Sequence, residues 1–159
     1  MELPAKNWVS INDAERAFRW PVRVYYEDTD AGQVVYHARY LHFMERARTE
    51  WLRAIGIEQD VIRERHGVVF VVIESQLKWL KPARFNDQLW VSVENVKVGK
   101  ASLSFEQRIW QQTEQAAQPL VTATVRAAAV HEGSFKAARI PPEAHQKFIM
   151  GSSAMRAPQ

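Results

Sequence analysis

The sequence contains no cysteine. That absence excludes a thiol nucleophile, a disulfide framework and a Cys-ligated zinc site together. It is compatible with a reducing compartment. Long hydrophobic runs are also missing. The longest, Val68-Val69-Phe70-Val71-Val72-Ile73, falls far short of the roughly 20 apolar residues that cross a bilayer. No transmembrane segment is expected. Met1 to Ser10 carries Glu2 and no apolar core, unlike a secretory signal. A cytoplasmic protein is the expectation. A strong excess of either charge is lacking: the net charge is +3. That is too mild for a nucleic-acid face, although it suits small anionic ligands such as phosphates.

Several familiar catalytic patterns are absent. There is no G-x-S-x-G nucleophile elbow and no G-x-x-x-x-G-K-[ST] phosphate loop. His37 and His42 stand five apart, so they do not share a helix face as an H-E-x-x-H zinc site requires. Asp28-x-Asp30-x-Gly32 has the look of a calcium loop. Counted from Asp28, however, position 6 is Gln33 and position 12 is Arg39, where an EF-hand needs Gly and Glu. No metal and no cofactor are expected.

What is present is an ordinary globular composition, 47% hydrophobic and 25% charged. A length of 159 residues supports one core and not two. The expected division is a single domain over 1–149 and a small, polar, flexible tail over 150–159.

Val22-Arg23-Val24-Tyr25-Tyr26 is rich in β-branched and aromatic residues and reads as a strand. The spacing of Tyr40, Phe43, Met44, Ala47, Trp51, Ala54 and Ile55 predicts a long helix over about 37–55. Its apolar stripe is wide, so it should lie against something large and flat. Gly56 follows as a C′ residue. A short helix is expected over about 58–66, closed by Gly67. Beyond it the period changes. Strands are expected over 68–81, 89–93, 101–112 and 119–131, the last two with clear alternation. The breaks between them are short, which predicts antiparallel hairpins. A terminal helical turn begins near Ile140-Pro141-Pro142-Glu143. One long helix on one face of an antiparallel sheet is an α+β layer architecture.

Tyr26, Asp28, Asp30 and His37 cluster between the first expected strand and the long helix. A loop there can set a side chain beside a helix N-terminus, whose free N–H groups favour an anion or a polarised carbonyl oxygen.

The segment from Tyr25 to Leu41, with its Tyr26, Asp28-x-Asp30 and His37, resembles the signature of the 4-hydroxybenzoyl-CoA thioesterase family. It is especially similar to the YbgC-like branch that many bacteria encode with the Tol-Pal system. Glu45-Arg46-Ala47-Arg48-Thr49-Glu50 and Pro82-Ala83-Arg84-Phe85-Asn86-Asp87 also match, in the right order and spacing. The resemblance covers about residues 20–148.

It implies a hot-dog fold, a long central helix wrapped by a five-stranded antiparallel sheet. It implies hydrolysis of acyl-CoA thioesters to acid and CoA, and a homodimer or homotetramer with sites at the subunit interface. Acyl carrier protein is a second partner to consider. The family's catalytic carboxylate falls on Asp30, its companion histidine on His37 and its tyrosine on Tyr26. The N–H at His37 would polarise the thioester carbonyl. Asp30 would act as general base on water or as nucleophile, the former being preferred. Tyr26 would hold Asp30 by a hydrogen bond. Asp28 is expected to structure the loop, and Arg84 to meet the CoA phosphates. Gln33 departs from the branch's usual Gly, and it would narrow the loop or remove a positive-φ conformation. The alternative is a non-catalytic acyl-CoA or acyl-carrier-protein binding module on the same fold.

Overall fold

The apolar stripe that predicts the long helix is also what buries it. Tyr40, Phe43, Met44, Ala47, Trp51 and Leu52 are buried on α1 (Arg39–Ala54), facing Val91, Val93, Phe105 and Ile109 of the sheet in one core. Each large side chain of this kind contributes roughly 1.5–3 kcal/mol on burial. The computed structural model describes residues 8–10, 16–114 and 118–154.

Around α1 run β1 (Trp8–Ser10), β2 (Arg16–Arg23), β3 (Val68–Trp79), β4 (Gln88–Val98), β5 (Ser102–Gln111) and β6 (Val121–His131). They form one sheet in the order β1-β2-β4-β5-β6-β3, antiparallel throughout. This is the expected hot-dog arrangement, five long strands on one helix, with the three-residue β1 added at an edge. The short α2 (Gln59–His66) closes on Gly67 in the left-handed region, and Gly56 takes a positive φ after α1. Both are the expected helix stops.

Four details differ from expectation. The first strand is Arg16–Arg23 and not 22–26. Its pairing with β4 runs from Phe18↔Val93 to Arg23↔Gln88. Pro21 pairs with Trp90 of β4, and among the described residues the β1 pairing ends at Phe18. Tyr25 and Tyr26 leave the sheet because the Asp28 carboxylate takes the Tyr25 N–H at 2.8 Å, which bends the chain into a 3-10 turn over Tyr26–Asp28.

The second difference is topological. β3 and β4 are consecutive but do not pair. β3 lies on β6 at the far edge, and β4 lies between β2 and β5. The Pro82–Asp87 segment is therefore a crossing and not a hairpin. It is fixed against the α1 end of the molecule: the Ala83 carbonyl accepts Val35 N–H at 2.9 Å, and Ala83 N–H donates to the Tyr40 hydroxyl at 3.1 Å.

Third, β4 extends to Val98. Its register shifts between Glu94 and Lys97, where Asn95 takes φ 50°. A bulge of this kind disrupts the alternation from which a strand is read.

Fourth, the terminal turn is a 13-residue helix, α3 (Pro142–Ala154). Phe148 packs on Trp51 and on Phe70, with centroids 5.7 Å apart in each case. α3 continues past residue 150. Gly151 is buried there, and a Cβ on it would stand 2.8 Å from Ile55. The rest of the expected tail, 155–159, lies outside the described residues.

Candidate active site

The loop from Tyr25 to Tyr36 is built on one buried carboxylate. Asp28 is 3% exposed. Its Oδ2 accepts the Tyr25 N–H and its Oδ1 accepts Arg39 Nε, both at 2.8 Å. Its backbone carbonyl accepts Tyr36 N–H at 2.8 Å. A buried carboxylate demands such partners. Here they join the loop's entry, its exit and the first residue of α1. Asp28 structures the loop, as expected.

Above Asp28 the loop closes as a small hairpin. Thr29 bridges Val35, and Asp30 N–H donates to the Val34 carbonyl at 3.0 Å. Asp30 sits exposed at its tip. Its Oδ1 accepts Gly32 N–H at 2.8 Å, and Gln33 N–H returns to its carbonyl at 2.9 Å. The carboxylate of this exposed residue is thus oriented through one oxygen. Gln33 has φ 61°. The positive-φ conformation that glycine favours is therefore kept, by a residue that adopts it at a cost of roughly 1–2 kcal/mol.

His37 lies at the loop's exit, outside α1, and Ala38 is the N-cap. Among the described residues, the N–H groups of His37 and Ala38 donate to no protein acceptor. They stand at a helix start, where negative charge is favoured. The His37 ring lies edge-on to Tyr36 (4.6 Å between centroids) and Trp79 (6.0 Å). The Trp79 indole N–H donates to the His37 carbonyl at 3.1 Å.

Tyr26 is 76% exposed. The hydrogen bond expected from it to Asp30 is not among those formed by the described residues. Its ring instead stacks on Phe85, with centroids 4.0 Å apart. The reason is the 3-10 turn, which carries Tyr26 out of the strand and toward the crossing segment. Arg84 precedes Phe85 in that segment and is exposed. Its N–H donates to Asp87 Oδ2 at 2.9 Å. Arg23 anchors the same turn through the carbonyl and side-chain oxygen of Asn86.

The structure thus gathers Asp30, His37, Tyr26 and Arg84 at one end of α1. It adds Tyr40, Trp79, Phe85 and Asp87, which sequence reasoning did not place in the site. Tyr40 reads only as a core residue. Burial is the main influence raising its hydroxyl pKa, with the charges of Asp87 and Asp30 acting in the same direction. Nothing local marks Trp79, whose partner His37 lies 42 residues away, and Phe85 falls in the matching Pro82–Asp87 segment with no local sign of its stacking on Tyr26. Among the described residues, no group of three or more His, Asp and Glu side chains comes together that could hold a metal ion.

The chain is similar to known proteins at three levels. The acyl-CoA thioesterase YbgC of Haemophilus influenzae is 44% identical over 134 residues, 84% of this chain and 96% of that protein. The acyl-CoA thioester hydrolase YbgC of Escherichia coli is 51% identical over 92 residues, 58% of this chain and 68% of that one. Among solved structures, a probable thioesterase from Bartonella henselae superposes with TM-score 0.70 at 32% identity, covering 79% of this chain and 99% of that one. The 1,4-dihydroxy-2-naphthoyl-CoA thioesterase of Synechocystis shares the fold, with TM-score 0.74 at 22% identity over 84% of this chain and 96% of that one. Residues 32–118 match the family model of the thioesterase superfamily. That span carries the α1 start and the crossing segment that frame the site, and by it the chain belongs to the thioesterase superfamily.

Proposed function

We propose that this enzyme hydrolyses acyl-CoA thioesters to free acid and CoA, with Asp30 activating water against a carbonyl held at the start of α1. The observation that carries the reading is the placement of an exposed, oriented carboxylate on a loop that ends, just before α1, on N–H groups with no acceptor among the described residues. Asp30 takes a proton from water as its oxygen adds to the thioester carbon. The resulting oxyanion is received by the His37 and Ala38 N–H groups, each such donor being worth about 3 kcal/mol in comparable sites. The C–S bond then breaks. The CoA thiolate leaves as a good leaving group, and no metal is required for its departure.

His37 orients the water or the carbonyl with its side chain. Tyr26 serves as a wall of the site, stacked on Phe85, and not as a donor to Asp30. Arg84 stands exposed on the adjacent turn, where a CoA phosphate would meet it. Under this reading an acyl thioester borne by acyl carrier protein is a second substrate to test. The working unit is a homo-oligomer, dimer or tetramer. Supporting this, the 12-residue β3 is an edge strand with Val72 and Ile73 about half exposed, and a long apolar edge invites pairing with another chain. We place the reaction in the cytoplasm. In support, no described helix is long and apolar enough to cross a membrane.

The test is thiol release from a panel of acyl-CoAs, from short and long aliphatic to benzoyl, beside the Asp30→Asn variant. Turnover that collapses in the variant supports the reading, and the preferred member names the substrate class. No release from any member by the folded protein overturns hydrolysis in favour of a binding module. Equal activity in the variant removes Asp30 from the centre of the chemistry.

A further inference from the structure

We propose that Trp79 is a positioning residue for this reaction, because its indole N–H fixes the peptide that presents the helix-start donors to the substrate. The inference rests on the Asp30 and His37 reading above. An ordinary first helical turn would carry a bond from Leu41 N–H to the His37 carbonyl. Here Leu41 N–H bonds to the Ala38 carbonyl instead, at 3.2 Å. The His37 carbonyl is released and accepts from Trp79 Nε1 at 3.1 Å. A distant side chain thus stands in for a helical bond, and α1 starts at Arg39 with His37 outside it.

The consequence is geometric. The peptide between His37 and Ala38 is planar and trans, so its C=O and N–H point in opposite directions. Holding the His37 oxygen from the Trp79 side aims the Ala38 N–H the other way. The same bond restricts the backbone at His37, whose own N–H is the other free donor. Trp79 is 49% exposed, so burial of the side chain alone does not force the contact. The indole also lies edge-on to the His37 ring, at 79°, with Tyr36 on that ring as well, at 60°. One side chain therefore fixes both the backbone and the imidazole of His37. It touches no reacting atom.

The site as a whole explains the placement of this tryptophan. Trp79 is the last residue of β3 and pairs with Val121, which anchors its backbone in the sheet. The donor that orients the helix start is thus carried on a residue paired into the sheet, while the loop before α1 contributes the carboxylate. Oxyanion stabilisation depends on donors that need not reorganise as charge develops. A tether from sheet to helix start supplies that rigidity.

The experiment compares Trp79→Phe with the parent enzyme on the preferred acyl-CoA. Phenylalanine keeps an aromatic edge for His37 and removes the N–H. The expected result is a kcat lower by about 10-fold with KM changed less than about 2-fold, since the lost interaction acts on the transition state. A merely structural role lowers the thermal midpoint without that split. A second, direct readout is the His37 carbonyl 13C resonance, which should shift when its hydrogen-bond donor is removed. An unchanged kcat, a change confined to KM, or an unmoved carbonyl resonance overturns the proposal. If the Phe variant does not fold, replacing the Trp79 indole by benzothiophene (3-benzothienylalanine) keeps the bicyclic ring without the N–H and is read by the same split. Full loss in Asp30→Asn with an unaffected Trp79→Phe overturns this inference alone. Full activity in Asp30→Asn overturns the reading on which it rests.

Discussion

Arg39 Nε donates to Asp28 Oδ1 at 2.8 Å, so the first residue of α1 is bound to the floor of the loop that carries Asp30. The Asp28 side chain is almost wholly buried and Arg39 is partly open. Removing Asp28 leaves Arg39 with the Glu27 carbonyl at 3.3 Å and the Glu27 carboxylate at 3.8 Å, and leaves the Tyr25 N–H without its acceptor. Asp28→Ala should cost about 2–3 kcal/mol, less than for a fully buried pair because Arg39 reaches solvent. Urea unfolding would measure it. Activity should fall further than stability explains, since Tyr25 N–H and Arg39 both lose the acceptor that shapes the loop.

Asp30 is exposed, and its side chain makes one local bond. Asparagine can keep that bond through its side-chain oxygen. Asp30→Asn should therefore leave the thermal midpoint within about 2 °C while kcat falls by roughly 100-fold to 10,000-fold, the usual worth of a positioned base. A matched loss of stability would mean that the side chain is structural.

Gln33 holds φ 61°, a region that costs a side-chain-bearing residue roughly 1–2 kcal/mol and glycine little. Gln33→Gly should stabilise the protein by about 0.5–1 kcal/mol, after the greater freedom of glycine in the unfolded chain is subtracted. Gln33→Val should destabilise it, because a β-branched residue tolerates this conformation least. Thermal melts of the two variants would have to move in opposite directions.

Glu143 at the start of α3 accepts from His66 at 2.8 Å. That hydrogen bond leads the influences that lower its pKa below the ordinary 4.5, with smaller contributions from the charges of His66, Arg65 and Lys147. A carboxylate whose pKa is depressed by folding stabilises the folded state above its unfolded value. The contribution is lost as pH falls through the folded value, which lies below 4.5. The melting difference between parent and Glu143→Gln should close as the pH falls below about 4. Because the group is exposed, the difference should also shrink with added salt.

The sequence by itself determined the α+β class, the single long helix with its buried stripe, the glycine stops after both early helices, and the loop whose Asp28 folds it and whose Asp30 crowns it. These follow from periodicity and from side chains that act on their own neighbours. Only the tertiary structure decided the rest. β3 and β4 are neighbours in the chain, but β3 pairs with β6 and β4 with β2 and β5, and a local pattern reports a buried face without naming the strand beside it. Tyr26 reads as a strand residue poised to bond Asp30, yet it stacks on Phe85 of the crossing segment. The helical spacing extends to His37, yet α1 begins at Arg39. The bond from Trp79, 42 residues along the chain, takes the carbonyl that the first turn would have used. A helix's face is written in its own residues. Where this one starts was settled by a competition between a backbone N–H within the turn and an indole N–H from the edge of the sheet.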